Sequence, residues 1–479
     1  MDKIKLDTGY ITGTKVSKAG RDIYLYKGIP YAAPPVGDLR WKPPQPAASW
    51  PGVRACTEYS IQASQYPDPN GPGAMESTSS SEDCLYLNVL TPAQKATEKL
   101  PVMVWLHGGG LRYGNGNFPL SVNLGLPLHG VIQVNINHRL GLMGLIAHPL
   151  LTKESPQHSS GNYMFLDMIA ALQWVRRNIA AFGGDPNNVT IFGESGGGLK
   201  VAALMATPLA NGLFHRAIIE SGGRYFDTVA LKDMEKFGER LFHKLGVDKA
   251  KDPLAAVRKL PVEKIINTDQ ENNIEMGSEY LFMGPWHVVH EGWFLPDTLI
   301  NMFQTGKRNQ VPYLVVANHG ELYGPGSLIA DMMIKDYLRL LNGKSTAKSL
   351  GYAAVFDQVP EGWRKEGCVA AHGMELHYVF GAIDDTEAWA AAKAGYTDSG
   401  AKSSVPAVSG ADRKVAENIE TIWATFAKTG NPSVKGLIDW PAWDSKTDKY
   451  LLITEPLQLK TKYTDLLKIK PNTTKWTIH

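Results

Sequence analysis

The stretch Asn188-Val-Thr-Ile-Phe-Gly-Glu-Ser-Gly-Gly-Gly198 decides the fold. Val189, Ile191 and Phe192 are β-branched or aromatic and follow a polar residue, the pattern of a short buried strand. Gly193 and Gly197 flank Glu194-Ser195-Gly196, and Leu199 to Met205 then reads as an apolar helix. Strand, tight turn and helix is the setting in which G-x-S-x-G presents a nucleophilic serine above a sheet. Glycines on both sides let strand and helix approach closely. In a chain with 47 glycines the pentapeptide alone is weak evidence. Partners for Ser195 have to come from elsewhere in the chain.

Working outward, Leu100 to Leu106 is a continuous apolar run, the mark of a strand buried on both faces, and His107-Gly-Gly-Gly110 follows it directly. Val131 to Asn137 is a further strand. Phe165 to Phe182 reads as a helix stopped by Gly183-Gly-Asp-Pro186. Arg216 to Gly222 is a strand, and so is Pro312 to Ala317, which leads into Asn318-His-Gly-Glu321. Such alternation predicts an α/β class fold with a parallel sheet covered on both faces. Helices are expected over Leu231 to Leu245, Pro253 to Leu260, residues 328 to 366 and Val415 to Lys428. Strands are expected over Ser81 to Leu90, Glu375 to Phe380 and Tyr450 to Ile453. Residues 28 to 37, rich in proline, read as an extended surface excursion, and residues 65 to 81 as a long loop forming a rim or lid. No repeat is visible. The expectation is a single domain over 1–479 with helical insertions at about 225–300 and 325–368.

Composition excludes several function classes. Hydrophobic residues make up 43% and charged residues 20% of the chain, and the formal net charge is +2, so charge gives no nucleic-acid or membrane surface. No apolar run approaches a membrane span. The first residues lack an apolar signal region, so the chain is expected to be cytoplasmic, or secreted if this is a mature form. Neither C-x-x-C nor H-E-x-x-H occurs, so neither metal nor organic cofactor is expected. A monomer is the default.

An acyl-transfer serine needs a base, a group to orient that base, and donors for a developing oxyanion. His107-Gly-Gly-Gly110 stands where free N–H groups converge on a negative oxygen. The order serine, acid, histidine selects Glu321 and His372, with Asp297 and Glu291 as competing acids and His377 as a competing base. His319 precedes the acid and breaks that order.

The chain resembles the type-B carboxylesterase/cholinesterase family of α/β-hydrolases along nearly its whole length. The matching segments are Tyr26 to Trp41, Ser81 to Asn88, His107 to Gly110, Gly161 to Tyr163 with Leu166-Asp167, Phe182 to Pro186, Phe192 to Gly197, Ala317 to Glu321 and Ala371 to Gly381. The resemblance implies an α/β-hydrolase fold and a serine carboxylesterase working through an acyl-enzyme. It implies Ser195 as nucleophile, His372 as base, Glu321 as orienting acid, and Gly109, Gly110 and Gly196 as oxyanion donors. Glu194 and Leu111 would lie at the pocket. Buried ion pairs Arg40–Glu82 and Arg139–Asp167 are implied, and so is a Cys56–Cys84 disulfide in an oxidising compartment.

The departures are specific. Leu322 stands where the family commonly has glycine after the acid. The cholinesterase choline-binding aromatics fall near Ala74 and at Gly324, so a quaternary ammonium would lack its cation–π cage. The Glu321-to-His372 interval is shorter than usual, which predicts an open site accepting bulky or aromatic esters, feruloyl or toxin esters among them. A non-catalytic cholinesterase-like binding or adhesion protein is the alternative, and such relatives generally lack a member of the triad.

Overall fold

The computed structural model describes residues 3–65, 80–223, 226, 228–272, 287–321, 328–392, 401 and 403–468. Its main sheet has eleven strands: β1 (Thr14–Lys18), β2 (Arg21–Pro30), β3 (Tyr86–Thr91), β4 (Leu100–Leu106), β5 (Ile132–Ile136), β6 (Gly184–Glu194), β7 (Arg216–Glu220), β8 (Tyr313–Asn318), β9 (Gly351–Phe356), β10 (Tyr450–Ile453) and β11 (Gln458–Lys460). Their spatial order is β11-β10-β9-β8-β7-β6-β4-β5-β3-β2-β1. Pairing is parallel from β10 through to β5, and antiparallel at β10–β11, β5–β3, β3–β2 and β2–β1.

The apolar runs make sense in this position, because side chains alternate across a strand and both faces are covered. Along β4, Val102, Val104 and Leu106 enter one core, while Met103 and Trp105 enter another on the opposite face. Helix α1 (Tyr163–Asn178) and helix α2 (Gly196–Ala206) supply Phe165, Leu172, Leu199 and Val201 to the first core. Helix α3 (Gly410–Thr429) supplies Ile419, Trp423 and Phe426 to the second. Trp105 sits 4.9 Å from the Phe192 ring and 5.0 Å edge-on from Phe380. Fully burying each such side chain contributes roughly 1.5–3 kcal/mol. The helix expected from Val415 begins earlier, because Ser409 and Asp412 form a capping box, and it ends at left-handed Gly430.

Several sequence expectations are corrected. Residues 328 to 366 are not all helical: a helix over Leu328–Leu341 is followed by β9, a central strand between β8 and β10. Glu375 to Phe380 is not a strand but holds one helical turn, Leu376–Val379. The proline-rich segment is only partly a surface excursion: β2 runs through Pro30, Ile29 and Tyr31 are buried, and Tyr31 Oη donates to Asn137 O at 2.7 Å. The strand expected from Ser81 starts only at Tyr86. Most of the expected 65–81 loop, Ala74, Leu322 and Gly324 lie outside the described residues.

Both implied ion pairs form two-pronged contacts. Arg40 reaches Glu82 at 2.7 and 2.5 Å, and Arg139 reaches Asp167 at 2.8 and 2.6 Å with almost no exposure. The implied disulfide is absent: Cys56 and Cys84 are buried free thiols, and burial holds Cys84 well above the ordinary thiol range.

Candidate active site

Ser195 caps α2 with φ 58° and ψ −124°, in the left-handed half of backbone space where a side chain is strained. The turn is possible only because its neighbours lack side chains. A Cβ on Gly193 would lie 2.6 Å from the Leu106 carbonyl oxygen, and one on Gly197 would lie 2.0 Å from it. The strain is held in place by the Ser195 N–H, which donates to the Glu220 carbonyl at 2.9 Å.

Glu321 leaves the C-terminal end of β8 with φ 30°, and a single bridge aligns it with Ala371. Its carboxylate is wholly buried. Oε2 accepts from His372 Nδ1 at 2.7 Å, while Oε1 accepts from Ser221 Oγ at 2.9 Å and from the Asn318 N–H at 2.6 Å. His372 keeps 14% of its side chain exposed, and Nε2 lies 3.1 Å from Oε1 of Glu194. Burial raises Glu194 to about 7, with His372 pulling it down and Glu321 pushing it up.

The glycine loop after β4 meets the serine turn. A Cβ on Gly108 would lie 3.4 Å from Ser195 Cβ, and one on Gly196 only 2.9 Å from Gly110 N and 3.1 Å from Leu111 N. Gly109, Gly110 and Leu111 all have positive φ, at 88°, 57° and 65°. A turn of successive backbone N–H groups forms an anion-binding concavity, and here the Gly110 and Leu111 nitrogens lie against Gly196 of the serine turn. The N–H groups of Gly109, Gly110 and Gly196 donate no backbone hydrogen bond among the described residues. Leu111, expected at the pocket, follows the glycines directly, and its side chain is buried and packs in the first core.

The competing residues are committed elsewhere. Glu291 accepts from Ser159 Oγ and the Phe294 and Leu295 amides, and Asp297 from Thr298 N and Asn301. His377 is buried and stacked on Trp389 at 3.4 Å, and His319 contacts Asp357 at 2.8 Å. Sequence reasoning missed Ser221, Asn318, Glu220 and Glu375. The Glu220 carboxylate accepts from Trp423 Nε1 at 2.8 Å, and burial pushes it up to about 8. Glu375 accepts from Asn318 Nδ2, and burial with neighbouring carboxylates holds it well above the usual range. No spacing rule marks such residues, since each acts through a neighbour brought close only by folding.

The profile of the carboxylesterase family matches residues 2–337 and 326–468. Para-nitrobenzyl esterase of Bacillus subtilis is 35% identical over 91% of this chain and 92% of that one. Carboxylesterase 1C of Rattus norvegicus is 31% identical over 98% and 94%. Fumonisin B1 esterase of Sphingopyxis macrogoltabida is 38% identical, in a match spanning 63% of this chain and 53% of that relative. Among solved structures, a PNB esterase superposes with a TM-score of 0.81 at 28% identity, covering 99% of this chain and 100% of the other.

Proposed function

The chain belongs to the carboxylesterase family, whose members hydrolyse carboxylic esters, and from that premise we propose that Ser195, His372 and Glu321 carry out the reaction. His372 takes the Ser195 proton as Oγ attacks the ester carbonyl carbon. The oxyanion is held by the Gly109, Gly110 and Gly196 N–H groups. Collapse of the tetrahedral species breaks the ester C–O bond, and His372 protonates the departing alcohol. Water, deprotonated by His372, then releases the acid and restores Ser195. Glu321 orients the imidazole through Nδ1 and stabilises its cation.

The observation carrying this reading is the 2.7 Å Glu321–His372 contact beside a strained, glycine-flanked serine turn. Glu194 lies 3.1 Å from Nε2 on the other side of the ring, and its ionised form adds negative charge there. The substrate we propose is a small-molecule carboxylic ester, with bulky or aromatic esters accepted. Relatives named for p-nitrobenzyl and fumonisin esters fit that breadth. Ser195→Ala is expected to abolish p-nitrophenyl ester turnover with the fold intact. Appreciable residual turnover refutes the assignment, and a panel varying acyl and alcohol size separately tests the breadth.

A further inference from the structure

Lys200 lies within the apolar helix α2 with no solvent exposure. Its Nζ donates to the His107 carbonyl oxygen at 2.7 Å. Among the described residues no carboxylate comes within ion-pair distance of it, so the buried amine has a carbonyl as its partner rather than a counter-charge. A charged, unpaired ammonium there would be costly, and burial accordingly holds Lys200 well below its ordinary range.

The partner explains the position. His107 is the residue between β4 and the glycine loop. Its ring lies flat against His138 at 4.6 Å, and its Nδ1 is 3.0 Å from the Gly108 carbonyl oxygen. That oxygen and the Gly109 N–H belong to one planar peptide unit and point in opposite directions. Fixing the carbonyl therefore fixes the direction of the N–H. The peptide unit before it, His107 to Gly108, is the one Lys200 holds. Gly114 closes the arrangement from outside, since a Cβ there would lie 2.5 Å from His107 Nδ1. Lys200 thus ties the helix that presents Ser195 to the loop that faces it.

We propose that Lys200 is a positioning residue for the oxyanion loop, its amine clamping the His107 carbonyl at the base of that loop, one peptide unit before the plane that carries the Gly109 N–H. The proposal rests on the oxyanion role assigned above. Lys200→Met keeps the length and loses the donor, so it separates packing from clamping. Rates are counted per active site titrated with an organophosphonate, which confines the comparison to folded enzyme. Removing a whole oxyanion donor costs about 100- to 1000-fold in kcat, and a misaimed one is expected to cost about 10-fold, with KM within about twofold of the parent. Affinity for a trifluoromethyl ketone, which mimics the tetrahedral species, should fall by the same factor as kcat. Unchanged kcat and ketone affinity overturn the proposal, whatever happens to thermal stability. Absence of titratable sites in both Lys200→Met and Lys200→Gln also overturns it, since the amine then serves folding. Labelling of the parent enzyme at a residue other than Ser195 would instead refute the catalytic reading itself.

Discussion

Replacing Glu321 by glutamine tests the orienting role most directly. The carboxylate accepts three hydrogen bonds: two on Oε1, from Ser221 Oγ and the Asn318 N–H, and one on Oε2, from His372 Nδ1. Glutamine has one acceptor oxygen. The Asn318 N–H cannot turn away, so the amide oxygen is drawn to that side and the NH2 group faces His372. Nδ1 must then accept rather than donate, which puts the ring proton on Nε2, where Ser195 needs a base. The equivalent acid-to-amide change in serine hydrolases lowers kcat by about 10,000-fold, or about 5 kcal/mol. All three hydrogen bonds survive in altered form and only their charge assistance is lost, about 1 kcal/mol, so the melting temperature should move by only a few degrees. The assay is kcat/KM on a p-nitrophenyl ester beside a thermal melt, with Asp297→Asn as control. Retention of activity within about tenfold of the parent, or an equal loss in the control, refutes the reasoning.

Two further outcomes follow from the same geometry. Glu194→Gln removes a carboxyl 3.1 Å from His372 Nε2 that, where it is ionised, stabilises the imidazolium; because it is charged only above about pH 7, the acidic limb of the pH–kcat/KM profile should move to lower pH by less than about one unit. Because the Glu194 carboxyl is raised from 4.5 to about 7 in the folded protein, folding holds its proton and stability falls as pH rises through that window. The glutamine variant should therefore gain stability relative to the parent at pH 8 and not at pH 4, as paired denaturant titrations would show. Gly197→Ala places a Cβ 2.0 Å from the Leu106 oxygen and should destabilise the protein by about 3 kcal/mol or more, with loss of soluble yield at 37 °C.

Much of the architecture was legible because its strands advertise themselves. β4 and β7 are short runs of apolar residues, and the serine turn is written in its glycines. β9 was missed for a physical reason: Gly351-Tyr-Ala-Ala-Val-Phe356 is buried on both faces and alanine-rich, so it shows neither alternation nor β-branched enrichment. Leu376 to Val379 erred the opposite way. All four side chains are buried in a single helical turn, so no polar face reveals its period. For the site, the order of serine, acid and histidine narrowed the field, and family motifs chose within it. The carbonyl of Glu220, the hydroxyl of Ser221 and the amine of Lys200 were invisible in that reading, because their partners are distant in sequence and adjacent only in the fold.

The strand order has a consequence for how the molecule is made. β6, which carries the nucleophile, lies in the middle of the sheet, while β9 and β10 join later and farther out, and the acid and imidazole arrive with the later part of the chain. During synthesis the serine turn leaves the ribosome long before Glu321 and His372. Until those segments dock, the emerging polypeptide holds Ser195 without its proposed base. On the proposed assignment hydrolytic competence is withheld from partial chains, and its onset would report that the C-terminal strands have been added to the sheet.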